Sequence, residues 1–102
     1  METSKIAVGD ICTFKLSSGE EVVAKVVENN GDSIVLSEPL SVAPGQKGLG
    51  LVTSMFTHSI GNPVTLNTKN VAMFGQTDES VKTSYIEVTT GLQLPNKKVL
   101  MG

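Results

Sequence analysis

Apolar and polar residues alternate through three short segments near the start of the chain, between Ile11 and Leu36. Two clusters of turn-forming residues, Ser17-Ser18-Gly19 and Asn29-Asn30-Gly31-Asp32, separate these segments. Alternation with a period of two is typical of a β-strand, and Asn-Gly between alternating runs is a strong hairpin signal. The pattern therefore predicts a three-stranded antiparallel meander.

The first two segments differ in how their apolar residues are distributed. In Ile11–Ser17 the alternation places Cys12, Phe14 and Leu16 on one face, so Cys12 is expected to be a small core residue. The second segment, Glu20–Glu28, carries valines on both faces, and Ala24 at its centre permits a sharp bend. A strand that is apolar on both faces must be covered on both sides, either by barrel closure or by a partner.

The remaining β region is interrupted by prolines and turns. Pro39 and Pro44 confine the segment 38–43 to an edge or bulged strand, because proline cannot donate to a strand ladder. A loop over residues 44–48 then leads into an extended hairpin that reaches His58. Two last strands follow, Val64–Leu66 and Val71–Phe74, on either side of an Asn67–Asn70 turn.

The pattern changes to helical spacing after Gly75. Val81, Tyr85 and Val88 fall at positions i, i+4 and i+7, Thr77 is placed to act as the N-cap, and Gly91 stops the run. We predict one amphipathic helix over about residues 78–90, followed by a short apolar tail, Leu92–Leu94, that can dock on a folded surface.

Composition limits the size and class of the protein. At 102 residues the chain has room for one domain, 1–102, and its stability margin is thin unless other copies cover apolar area.

The net charge is −2, with eight lysines and no arginine, which gives no general support for binding polyanions. The single cysteine excludes an intrachain disulfide and any cysteine-pair metal site. No apolar run has the length of a membrane helix or a signal peptide, so we expect a soluble, cytoplasmic protein without membrane contacts.

The order of apolar and turn residues resembles the first motif of Sm and Sm-like (LSm) proteins. The resemblance lies in Phe14-x-Leu16-x-x-Gly19, the small Ala24, and the apolar strand Ile34-Val35-Leu36 after a turn; the second motif is similar to 66–74. It implies a mainly β fold: a small, strongly bent, five-stranded Sm-like (SH3-type) barrel over about residues 10–75. The extended hairpin and the C-terminal helix are added to it, and the resemblance also implies a homo-oligomeric, cyclic assembly.

The chain also resembles small Sm-like proteins of marine tailed phages, through its Gly48-Leu49-Gly50-Leu51 hairpin and the segment Tyr85–Leu94. This resemblance implies the cytoplasm of an infected bacterium as the location. It also implies phage or host proteins as partners.

The resemblance to Sm proteins implies a site for single-stranded RNA on the two motif turns. The family's nucleotide-facing positions fall here on Asn30, Ser33 and Ile34, and its Arg-Gly pair falls on Asn67-Thr68, so the family's own ligand residues are replaced. The candidate RNA-binding residues are Asn30, Asn67, Lys69 and Asn70, which a ring would repeat around one opening. The alternative is that Asn67–Asn70 is simply a well-formed polar turn.

Catalytic motifs are not found in the sequence. His58 is the only histidine, it is distant in sequence from Cys12, and the glycine-rich residues 45–50 lack the Lys-Ser/Thr ending of a phosphate loop. We therefore expect no enzymatic activity, no cofactor and no metal. A third hypothesis is an assembly or adaptor module, with Met55, Phe56 and Leu92–Leu94 as candidate contacts to another copy or to another protein.

Overall fold

The fold is described here from a computed structural model, in residues 5–45, 48–55, 57–58, 61–90 and 98–99 of the chain. These ranges contain seven strands and one α-helix. The strands are β1 (Ile11–Leu16), β2 (Glu21–Asn29), β3 (Ser33–Gly45), β4 (Gly48–Thr53), β5 (Val64–Asn67), β6 (Val71–Gln76) and β7 (Lys98–Val99). The helix α1 spans Glu79–Thr89, and a short 3-10 turn, Thr68–Asn70, joins β5 to β6.

All strands belong to one antiparallel sheet. Six of them follow the order β6-β1-β2-β3-β4-β7, and β5 pairs with the first part of β3 as a side branch. The mainly β class and the single C-terminal helix predicted from the sequence are therefore confirmed. The predicted closed barrel is not confirmed: in the described ranges no ladder joins β5 to β6, so the sheet stays open.

Strand β3 is the longest strand. It contains both the apolar segment Ile34-Val35-Leu36 and the proline-containing segment 38–43, which the sequence pattern separates. One of its edges pairs with β2, while the other pairs first with β5 and then with β4. Glu38 and Pro39 lie between these two partners and are skipped in the β2 ladder, and Glu38 has a positive φ of 51°. The prediction of a bulged strand around Pro39 is thus confirmed, within a single continuous strand.

The register between β2 and β3 slips twice. At the first slip Glu38 and Pro39 oppose the single residue Ala24, where the sequence predicts a bend. At the second slip Val27 is the extra residue on β2 and stays 44% exposed. An extra residue in one strand leaves ladder groups unpaired and increases the local twist.

Two apolar clusters lie on opposite faces of this sheet. The main core includes the buried residues Cys12, Phe14, Val22, Ala24, Val26, Ile34 and Leu36. The second cluster contains Ile11, Val23, Leu51 and Tyr85, and it lies on what we call the outer face, which α1 covers. The prediction that β2 is covered on both sides is confirmed, and on the outer face the cover comes from the helix of the same chain.

The helix begins one residue later than the sequence predicts. The N-cap is Asp78, whose carboxylate accepts a hydrogen bond from the Ser80 N–H at 3.1 Å, and the hydrogen bonds from Ser80 lower the pKa of Asp78. The predicted N-cap, Thr77, is buried instead, with its hydroxyl 2.9 Å from the Thr13 hydroxyl. Asp78 is the better cap because it is exposed and charged at the positive end of the helix.

The hydroxyl of Tyr85 joins the helix to the first slip between β2 and β3. It accepts a hydrogen bond from the Lys25 N–H at 3.1 Å, and its own proton faces the carbonyl oxygens of Ser37 at 2.8 Å and Glu38 at 3.0 Å. These backbone groups belong to the bulge at Glu38 and to the Lys25–Ser37 pair beside it. One buried side chain therefore supplies the hydrogen bonds that the interrupted ladder lacks.

Replacing Tyr85 by phenylalanine tests this role. Tyr85→Phe keeps the ring in the outer cluster but leaves the Lys25 N–H without its partner, so we expect a loss of about 1–3 kcal/mol in the free energy of unfolding. Urea denaturation measures the loss, with Ile86→Ala on the exposed side of the same helix as the control. Equal stability of Tyr85→Phe and the wild type would contradict the role.

The ionisation of Tyr85 gives a second test. Burial, and to a lesser extent the charge of Glu38, raises the pKa of Tyr85 to about 12, while the hydrogen bond from Lys25 opposes the shift. The folded state therefore holds this proton more tightly than the unfolded state. The stabilisation it gives is fully present below the unfolded pKa of about 10 and is lost as pH rises through the folded value.

Because the chain has one tyrosine and no tryptophan, ultraviolet absorbance of tyrosinate reports Tyr85 alone. We expect ionisation near pH 12 in the native protein and near pH 10 in urea. We also expect wild-type stability to fall more steeply than that of Tyr85→Phe over this interval, since both proteins share the same lysines. Native ionisation at the ordinary pH of about 10 would contradict the burial of the hydroxyl.

Candidate nucleic-acid interface

The four candidate RNA-binding residues lie on two turns that the fold brings together. Asn30 is in the β2–β3 hairpin turn, and Asn67, Lys69 and Asn70 are in or beside the 3-10 turn. Ser33 at the start of β3 pairs with Asn67 at the end of β5, so the two turns lie at the same end of the sheet. The described backbone therefore brings the two candidate turns to one end of the sheet.

Thr68 connects the two turns by hydrogen bonds. Its N–H donates to the carbonyl oxygen of Asp32 at 3.1 Å, and its hydroxyl donates to the carbonyl oxygen of Gly31 at 3.2 Å. Thr68 is buried although both of its sequence neighbours are exposed. The sequence alone does not identify this residue, because a threonine inside a polar turn gives no sign of a partner on a distant hairpin.

The asparagines of the 3-10 turn have structural roles. The Asn67 side-chain oxygen accepts from the Lys69 N–H at 3.0 Å and caps the turn. The Asn70 carbonyl oxygen accepts from the Ser17 N–H at 2.7 Å, which ties the β1–β2 turn to the same end of the sheet. These contacts are what the alternative of a well-formed polar turn requires.

The Asn30 hairpin turn is also built from local hydrogen bonds. The Asn30 N–H donates to the Ser33 carbonyl at 2.9 Å, and the Asn29 side-chain oxygen accepts from the Gly31 N–H at 3.0 Å. Gly31 has a φ of 87°, a conformation that glycine adopts without strain. The Asn-Gly hairpin predicted from the sequence is therefore confirmed, and the side chain of Asn30 is exposed at its tip.

The charge at this end of the molecule is balanced. Lys69 is exposed on the 3-10 turn, and Asp32 is exposed on the hairpin turn that Thr68 fastens to it. A ring would repeat both charges together, so the positive charge expected from repeating Lys69 is offset by an equal number of carboxylates. Nothing in the sequence distinguishes Asp32, since aspartate after Asn-Gly is an ordinary turn former.

The single cysteine and the single histidine lie in different parts of the fold. Cys12 is buried in the main core, where desolvation, and to a lesser extent the charge of Asp10, raises the pKa of the thiol to about 11. The His58 ring lies in the connection before β5, with Nε2 3.1 Å from the carbonyl oxygen of Asn62. Within the described ranges no three potential metal ligands come together.

A second surface feature lies on the outer face. We call it the outer groove: a depression of about 530 Å³ whose lining includes Val23, Leu49, Met73, Gly75 and Val81. Met73 is 67% exposed. The groove therefore runs up to β6, the last strand on that side of the sheet.

The candidate protein contacts from the sequence are only partly described. Met55 is 46% exposed, whereas Phe56 and Leu92–Leu94 lie outside the described residues. The short strand β7, which the sequence did not predict, pairs with β4 and covers part of its edge.

Comparison with known proteins adds no assignment. No protein-family model matches the chain, and no curated protein is similar to it. Among the described residues no helix is long and apolar enough to cross a membrane.

Proposed function

We propose that this chain is a non-enzymatic, Sm-like subunit that assembles edge to edge into a homo-oligomeric ring, with a weak site for single-stranded RNA at the ring opening. The proposed assembly is supported by two strand edges. One edge of β5 and one edge of β6 lack a partner strand in the described residues. In this proposal the strongly bent SH3-type barrel is completed by the neighbouring copy.

Both open edges lack the residues that normally protect an edge. Strands β5 (Val64–Asn67) and β6 (Val71–Gln76) contain no charged residue and no proline. Monomeric proteins commonly place lysine, proline or a covering segment at such positions, because a bare edge is a template for another strand. By contrast, the edge of β4 is partly covered by β7.

The apolar residues beside these edges are incompletely buried. Leu66 on β5 and Phe74 on β6 pack against the main core but remain partly exposed. When β5 of one copy pairs with β6 of the next, both side chains gain cover, which a chain of this size needs. The contact uses two different surfaces, so it is heterologous, and it forms a ring when the rotation between copies closes.

A charged substitution on the open edge of β6 tests the assembly. Met73 pairs with Lys15 across β1 and β6, so Met73→Glu places a charge on the open edge while keeping a favourable neighbour in the same chain. We expect the mass measured by light scattering to shift from the oligomer to the monomer in Met73→Glu.

Ile86→Glu is the matched control, because Ile86 is also an exposed apolar residue but belongs to α1 and to neither edge. It should keep the wild-type mass. A wild-type protein that remains monomeric at every concentration would contradict the assembly.

The RNA site is supported by the junction of the two turns. Thr68 holds Asn30 and Lys69 on neighbouring turns, and a ring repeats this pair around its axis. Exposed amides recognise base edges and lysines contact phosphates. Because Asp32 offsets Lys69 and the chain has no arginine, the affinity we propose is weak and strongly dependent on salt.

Binding to labelled oligo-U and oligo-A across a salt series tests this site. We expect binding that weakens steeply as salt increases and is lost in Lys69→Glu, while the oligomer stays intact. Lys82→Glu on the helix changes the net charge equally and serves as the control, so it should keep most of the binding. Equal binding by both variants would contradict a specific site, and no binding at low salt would remove RNA from the proposal.

The second candidate is an adaptor that uses the same scaffold without nucleic acid, in phage assembly or in contact with host proteins in the cytoplasm of an infected bacterium. The outer groove favours it, because Met73 and Leu49 place exposed apolar surface there. An adaptor would be indifferent to Lys69→Glu and sensitive to changes in the groove.

A further inference from the structure

The Asn-Gly pair in the β2–β3 hairpin turn differs chemically from the other asparagines of the chain. Asn30 is the one asparagine that is followed by glycine. Asparagine is a thermolabile residue, because the backbone nitrogen of the next residue can attack its side-chain amide. Glycine favours this attack, since it has no Cβ atom to shield the nitrogen and its backbone adopts many conformations.

The folded turn leaves the two reacting groups accessible. Asn30 and Gly31 are both exposed, and a Cβ atom built on Gly31 would have no neighbour within 4 Å. The turn holds Asn30 through its backbone: its N–H donates to the Ser33 carbonyl oxygen at 2.9 Å, and its own carbonyl oxygen accepts from the Asp32 N–H at 3.1 Å. Neither of these hydrogen bonds involves the side-chain amide that the nitrogen would attack.

The neighbouring Asn29 acts on the attacking nitrogen. Its Oδ1 accepts a hydrogen bond from the Gly31 N–H at 3.0 Å, and its Nδ2 donates to the carbonyl oxygen of Ile6 at 3.0 Å. The Gly31 nitrogen must lose its proton to attack, and the hydrogen bond to Oδ1 makes that proton harder to remove. Because the Asn29 side chain is held at both ends, this restraint on the reaction is built into the turn.

We propose that Asn30 is a site of spontaneous deamidation in the folded protein and that Asn29 sets the rate. The Gly31 nitrogen forms a bond to Cγ of Asn30, the bond from Cγ to Nδ2 breaks, and ammonia leaves with the Gly31 proton. Water then opens the resulting cyclic succinimide. Breaking the new bond to Cγ gives aspartate, whereas breaking the bond between the Gly31 nitrogen and the Asn30 backbone carbonyl carbon gives isoaspartate.

Either product changes the end of the sheet that carries the two candidate turns. Each adds a carboxylate where Lys69 and Asp32 balance each other, so the local charge becomes negative. Isoaspartate also adds a carbon to the main chain directly before Gly31, whose carbonyl oxygen accepts from the Thr68 hydroxyl. The inference does not rest on the proposed function, but wherever RNA binds at this end the added charge weakens the binding.

Mass spectrometry of the folded protein after incubation at neutral pH tests the site. Cleavage after lysine releases residues 26–47 as one peptide, and fragmentation distinguishes Asn29 from Asn30. We expect conversion of amide to acid at Asn30, with isoaspartate among the products. Asn67 and Asn70 are internal controls, because they are exposed but precede residues larger than glycine, so they should keep their amides.

Two substitutions of Asn29 separate its two hydrogen bonds. Asn29→Ala removes the acceptor for the Gly31 N–H, so we expect conversion of Asn30 to become about tenfold faster, equivalent to about 1.4 kcal/mol in the barrier. Asn29→Asp keeps an acceptor for Gly31 but loses the donor to Ile6, so conversion should be no faster than in the wild type. Far-ultraviolet circular dichroism checks the fold of both variants.

Wild-type protein unfolded in urea gives the reference rate, since Asn30 reacts there without the turn. Folded samples are followed until most of the unfolded sample has converted. An Asn30 amide that stays intact in the folded protein over this time would overturn the site, and conversion that Asn29→Ala leaves unchanged would overturn the role of Asn29. Conversion in a protein that binds no RNA would support the modification and contradict only the proposed RNA site.

Discussion

The hydroxyl of Tyr85 is the contact on which the arrangement of sheet and helix depends. Strand β2 is apolar on both faces, so it needs cover on the outer face as well as in the main core. The slip opposite Ala24 takes backbone groups out of the ladder, and buried groups of this kind are costly without partners. One phenol accepts from the Lys25 N–H and directs its single proton at the carbonyls of Ser37 and Glu38, so the helix is fixed over the irregular part of the sheet.

Backbone N–H and C=O groups at strand edges also need hydrogen-bond partners, and this requirement is the reason for proposing an assembly. Inside the chain, β7 supplies a partner for part of β4, and Tyr85 supplies one at the bulge. In the described residues β5 and β6 are left with bare edges, and neither carries the charges that would discourage pairing. A neighbouring copy is the simplest partner for both edges at once, since each copy offers one edge of each kind.

Local signals in the sequence predicted the elements well, and contacts between distant residues explain what it missed. Alternation predicted β1 and β2, Asn30-Gly31 predicted the hairpin between β2 and β3, and the spacing of Val81 and Tyr85 predicted the helix. The choice of Asp78 over Thr77 as the N-cap depends on Thr13, which lies far away in sequence. Barrel closure was expected from a family resemblance, and closure is a property of edges that no local pattern encodes.

In the candidate site, too, local signals in the sequence predicted some features and contacts between distant residues determine the others. The sequence identified the two turns, and the fold brings them together through Thr68, a residue that no turn signal distinguishes. It also places Asp32 beside Lys69, which weakens the electrostatic case for RNA. Hydrogen exchange of the outward N–H groups of β6 at low and high protein concentration tests edge-to-edge assembly most directly. Edge-to-edge assembly predicts that protection of these N–H groups grows with protein concentration, whereas rapid exchange at every concentration would contradict it.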